Sequence, residues 1–281
     1  MTINPVLENE AKGKVKEIYQ TINKALETNS IPLFFAYFGN FPDYLDYLSP
    51  QLLENLFNSN FAKLAISFAE SNERKIALTL RKSEEIGEFV SRFQFSPSFV
   101  YFQQDLKKIF LVNIKLTLIF LGLRESVKGY AVAAQKIAAA AAKENLGKIT
   151  KELNDEFIFS EIVSVKKGKT EKTITSIKKS ALVKFGPQGL EKSLLPDYLT
   201  LCRNQFFKEM KRPEFWDLRL KMEEEMLAAI DNLPHFLHSP INIMLQFAEK
   251  YKNFHEFIYL LAENFPTLAM QRLLFSGFMK V

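Results

Sequence analysis

The side chains in this 281-residue chain that could do chemistry are few, and most stand apart from one another. His235 and His238 are three residues apart, a spacing that lets two imidazoles share a metal when it falls on a helix. Pro234 and Pro240 bracket them, so the segment reads as a loop, and no cysteine or third ligand joins them. They are expected to be surface histidines, and no metal is expected. The single cysteine, Cys202, rules out an intramolecular disulfide and a CxxC redox centre. It follows Tyr198, Leu199, Thr200 and Leu201 on a helical stretch and reads as a small core residue. Glu223, Glu224 and Glu225 read as a solvated face. No GxSxG, GxxxxGK[ST] or GxGxxG occurs. A nucleophile elbow, a phosphate-cradling loop and a dinucleotide fingerprint are therefore all without support, and no cofactor is expected.

The elements that would position any site are helical. Apolar residues make up 47% of the chain, with 27 Phe but only 10 Gly and 11 Pro, a balance that favours long helices over strands and turns. The formal charge of +5 is local: seven lysines and one acid, Glu171, lie between Lys166 and Lys184. That run has few arginines and no interleaved aromatics, so it reads as a solvated connector and not as a nucleic-acid face. The most apolar run, Ile109 to Leu123, is fifteen residues long and carries Asn113 and Lys115. A span of the bilayer needs about 20 apolar residues. The run is expected to be a buried core helix, with no membrane span. Met1 to Asn9 has no apolar core of a signal peptide, and a cytoplasmic home is the default expectation.

In chain order, Val15, Ile18, Tyr19, Ile22 and Leu26 share one face of a helix from about Lys12 to Thr28. Leu33 to Phe41 is dense in aromatics, which are either core packing or the wall of an apolar pocket. Pro42 and Asp43 open a helix with Pro50 near its first turns or at a break. Further helices are expected over Phe61 to Phe68, Arg74 to Phe93, Phe99 to Leu123 (one helix or a helix pair) and Glu125 to Ala142. The last of these ends in an alanine run that suits close packing between two halves. Phe157 to Val165 and Thr170 to Ile177 are either a small hairpin or frayed helix. Pro240 to Glu249, Asn253 to Asn264 and Pro266 to Met279 are expected to be helices.

Pro42-Asp43-Tyr44-Leu45 returns 154 positions later as Pro196-Asp197-Tyr198-Leu199. The same offset, without a gap, takes Phe61 to Phe215, Leu64 to Leu218, Ile66 to Leu220 and Phe68 to Met222. A chance match of four residues would not hold helix register that far, so the chain reads as a duplication. The expectation is an all-α fold of two related helical repeats. Residues 1–145 form the first, 146–184 a basic linker and 185–281 the second.

Three stretches carry a family resemblance: Ile18-Tyr19 through Ile31-Pro32 to Leu45, then Leu195 to Leu199, then Lys211-Arg212-Pro213-Glu214-Phe215. Together they make the chain resemble the group I 2-haloacid dehalogenases. The resemblance runs from about Gly13 to Gly277 and rests on short apolar motifs. It implies a pseudo-dimer with a site between the repeats, where a carboxylate about eight residues before the second Pro-Asp-Tyr-Leu activates a water. It also implies a positioning asparagine from the first repeat, matched by Asn113, and a pocket wall matched by Phe34, Phe35 and Phe38. At the carboxylate position this chain has Gln188, which cannot take a proton from water. Glu191, one turn on, is the nearby acid that could substitute.

Three functions follow as expectations. The first is a binding protein that holds a small organic acid or other partly apolar ligand between the repeats without dehalogenation. The second is a hydrolase of 2-haloacids by direct water attack. The third is an interaction protein whose pocket is filled by its own phenylalanines.

Overall fold

The computed structural model describes residues 3–142 and 194–280, and the side chains among these except those of residues 132–142. The protein is all-α, with no strand among the described residues. In the first part of the chain the helices are α1 (Gly13–Leu26), α2 (Leu33–Phe38), α3 (Pro42–Leu56), α4 (Ser59–Thr79), α5 (Glu84–Phe93) and α6 (Pro97–Ala142). The second Pro-Asp-Tyr-Leu lies at the start of α7 (Leu194–Glu209), which leads to α8 (Pro213–Ala228) and α9 (Ile241–Lys250). The last rod is α10 (Phe254–Tyr259), a π-helical turn (Leu260–Asn264) and α11 (Phe265–Met279). The basic linker and the candidate hairpin over 157–177 lie outside the described residues.

The first helix forms where its apolar spacing places it and buries Ile18, Tyr19, Ile22 and Leu26. It ends at Glu27, whose left-handed backbone (φ 58) closes the helix and returns its N–H to Asn23 and Lys24. The Tyr19 hydroxyl lies 3.1–3.2 Å from the carbonyls of Val6, Phe35 and Ala36, and so pins α2 against α1.

Pro50 does not break α3. A proline has no N–H for the carbonyl of Asp46, which lies four residues back. Ser49 supplies the missing donor, its Oγ standing 3.1 Å from the Asp46 oxygen. Ser49→Ala should therefore lower stability by about 1 kcal/mol, seen as a lower midpoint in thermal or urea unfolding.

The expected helix over Arg74 to Phe93 is instead two. Leu80 is extended, and Ser83 starts α5 by accepting the Ile86 N–H on its side chain. The reverse happens next. Phe99 to Leu123 and Glu125 to Ala142 belong to one helix of 46 residues, because nothing between them breaks it. Gly122 and Gly129 serve instead as points of close approach for Leu237 and Ile241. The two expected C-terminal helices are also one rod. Pro266 lacks an N–H and would crowd the carbonyl four residues back. The wider π turn immediately before it gives that carbonyl room.

The centre of the molecule is the antiparallel pair α6 and α11. Phe120 meets Phe265 with ring centroids 5.8 Å apart. At the other end Gln103 donates to the carbonyl of Met279 at 3.3 Å. Every residue of α11 except Thr267 is buried, so this helix is encircled by α4, α6, α7 and α8. One continuous hydrophobic core joins residues from before and after the undescribed segment. No described helix is long and apolar enough to cross a membrane.

Candidate functional site

A helix with no solvent-facing side rarely carries a charge, because burying an ion costs several kcal/mol that its partners must offset. In α11 the apolar run is interrupted by Gln271 and Arg272, which are 7% and 4% exposed. The guanidinium carbon of Arg272 stands 5.9 Å from the ring centre of Phe34, close enough for a cation–π contact. On the facing helix Asn113 is 1% exposed. Its Nδ2 donates to Ser276 Oγ at 2.9 Å and lies 3.5 Å from the Arg272 carbonyl. Ser276 passes its own proton to the Leu273 carbonyl at 2.9 Å. Thr117, one turn along α6, donates to the Asn113 carbonyl at 2.7 Å. The Oδ1 of Asn113 and the Oε1 of Gln271 are buried acceptors with no hydrogen-bond partner among the described residues.

The structure thus brings Asn113 and Phe34 to one place, through an arginine that links them. Phe35 and Phe38 lie beside Phe34 in the same aromatic cluster. Both are fully buried and pack on Phe120, with centroids 5.4 and 6.5 Å away, and Phe38 also stands edge-on to Phe257 at 4.8 Å. Gln188 and Glu191 lie outside the described residues. The groups of the seam are a guanidinium, two amides and two hydroxyls. None of them takes a proton from water. No family model, curated protein or solved structure matches this chain. The site must therefore be judged on its own chemistry.

Arg272 and Gln271 were not among the expected site residues. What marks them is the enclosure of α11, which the sequence alone does not show.

The remaining reactive groups are accounted for structurally. Cys202 is buried, and burial pushes its thiol up to about 12, so it is held as the unreactive thiol. His235 and His238 are exposed, and His235 Nε2 pairs with Glu54 at 2.5 Å. His255 meets the Tyr130 hydroxyl at 2.9 Å. Among the described residues no group of His, Cys, Asp and Glu could hold a metal. The acidic run is a correction to the solvated face read from sequence. The Glu223 side chain is 14% exposed and bridges Arg124 at 2.6 Å and Arg219 at 3.2 Å, while Glu225 pairs with Lys75. Arg124 and Arg219 thus draw Glu223 inward, while Glu225 stays partly exposed and Glu224 exposed. A separate open cleft of about 400 Å³ lies between α5 and α7, walled by Leu201 and Phe207 with Lys208, Lys211 and Glu85 around them.

Proposed function

We propose that this chain is a binding protein on a scaffold like that of the 2-haloacid dehalogenases, and that it holds a small organic acid without breaking a carbon–halogen bond. The observation that carries this reading is the buried Arg272 beside Asn113 and Phe34. A guanidinium matches a carboxylate in geometry and charge, and a phenyl ring suits the apolar part of the acid. Gln188, where the resembling family has its water-activating carboxylate, argues for binding over hydrolysis.

The test is titration calorimetry with 2-chloropropionate and with propionate, alongside an assay for released halide. Saturable binding of both acids is expected, with no halide release above the uncatalysed rate. Arg272→Met should weaken binding by about 10- to 100-fold, the worth of a charge-assisted hydrogen bond. Methionine is apolar and of similar reach, so the fold should survive the change. Released halide would make the protein a hydrolase instead.

One observation favours a second reading. Phe34, Phe35 and Phe38 are fully buried and interlock with Phe120 and Phe265. A protein whose inter-helical space is filled by its own rings suits an interaction role. Absence of binding by both acids, with the wild-type fold intact, would select it.

A further inference from the structure

Two segments of irregular chain, one after α4 and one after α8, are held by hydrogen bonds from the far half of the molecule. On α3, Asn55 Oδ1 accepts the His235 N–H at 3.1 Å, and its Nδ2 donates to the His235 carbonyl at 2.8 Å. One turn earlier, Gln51 Oε1 accepts the His238 N–H at 2.7 Å, and Tyr47 donates its hydroxyl to the His238 carbonyl at 2.9 Å. On α7, Glu209 Oε2 accepts the Arg81 N–H at 3.1 Å. One turn earlier, Gln205 Nε2 donates to the Arg81 carbonyl at 3.1 Å.

These are one clasp made twice. Gln51 and Gln205 are 154 positions apart, as are Asn55 and Glu209, and as are Arg81 and His235. That is also the spacing of the two Pro-Asp-Tyr-Leu segments. The helix of the first half holds the segment of the second, and the helix of the second half holds the segment of the first. The two differ in extent: the first also holds His238 through Gln51 and Tyr47, whereas the second, with Leu201 at the position of Tyr47, is made at Arg81. Glutamate has no N–H to give, so in the second clasp Gln205 serves the carbonyl that Asn55 serves in the first. Contact of i with j and of j with i is the pattern of an interface around a two-fold axis.

We infer that the two clasps form a single reciprocal latch, so that opening either one loosens the other. The mechanical link is α4 and α8. Each helix leads into one clasped segment, α8 through a 3-10 turn (Ile230–Asn232), and the two pack side by side through the Lys75–Glu225 pair. Freeing the segment after α8 removes the tether on one end of that pair and lets α4 shift against α7. This inference stands whether or not the seam binds an acid.

Amide hydrogen exchange on the full chain tests it, comparing wild type with Asn55→Ala and Gln205→Ala. Asn55→Ala should speed exchange across 233–239 by about tenfold or more, and across 79–83 by about threefold or more. Gln205→Ala should do the converse, since a coupling between two sites is the same in both directions. If Asn55→Ala fails to fold, Gln51→Ala removes the side-chain bonds to His238 and to the Tyr47 carbonyl, leaves the pair with His235 in place and is read in the same way. Wild-type exchange at 79–83 in a variant whose 233–239 segment has opened would overturn the latch. So would a one-way effect.

Discussion

Phe38→Ala will cost about 3–5 kcal/mol of folding stability, the range for deleting a fully buried phenyl ring. The side chain has no exposed surface, and its ring is set against Phe257 at 4.8 Å, Phe35 at 5.9 Å, Tyr44 at 6.2 Å and Phe120 at 6.5 Å. These partners lie on four elements, α2, α3, α6 and α10, which cannot all move inward to fill the space left behind. The experiment is equilibrium unfolding in urea, where the midpoint should fall with the slope unchanged. A ring lining an open pocket would behave otherwise, because water already reaches one of its faces. A loss of less than about 1 kcal/mol would show that Phe38 faces a cavity and not the core.

Gly277→Val is expected to be nearly as damaging, for the opposite reason. At this position on α11 an added Cβ would lie 2.5 Å from Ile76 Cδ1 and 2.8 Å from Phe110 Cε2. The glycine lets α4 and α6 both close on α11 at one level. Overpacking of a tight core typically costs about 1–3 kcal/mol, and a branched side chain at a three-helix contact belongs at the upper end. Alanine should cost less than valine, since the tip of Ile76 can rotate away while the Phe110 ring has less room. Paired thermal melts of the two variants check this ordering. The double variant Gly277→Ala, Ile76→Val should recover part of the alanine loss if the clash with Ile76 is its cause.

The helices were legible because their cause is local. Ile18, Tyr19, Ile22 and Leu26 fall on one face in any helix, and that face is the buried one. Departures from the expected boundaries arise from side chains that change a local rule. Ser49 replaces the donor that Pro50 lacks, and the π turn makes room for Pro266. The site was less legible. Phe34, Phe35 and Phe38 have the same composition whether they fill a core or line a pocket, and only the position of Phe120, Phe257 and Phe265 decides between them. Asn113 stands out by its place in an apolar run, whereas Arg272 does not. Its setting on α11 becomes unusual only once that helix is known to be enclosed on all sides. Glu223 shows the same limit. Arg219, one turn earlier on the same helix, is visible in the sequence, but the run of three acids looks solvated until Arg124 arrives from α6.

The antiparallel pairing of α6 with α11 has a consequence for synthesis on the ribosome. Gln103 and Met279 are joined across 176 residues of sequence, so the middle of the fold cannot close until α11 has been made. Until residues 265–279 have left the exit tunnel, the inner faces of α4, α6, α7 and α8 have nothing to close upon. Contacts of such long range slow folding, and apolar surface left uncovered meanwhile invites aggregation. A nascent chain of this protein should therefore depend on chaperones until α11 emerges, and stalling its translation before residue 265 should leave it bound to them.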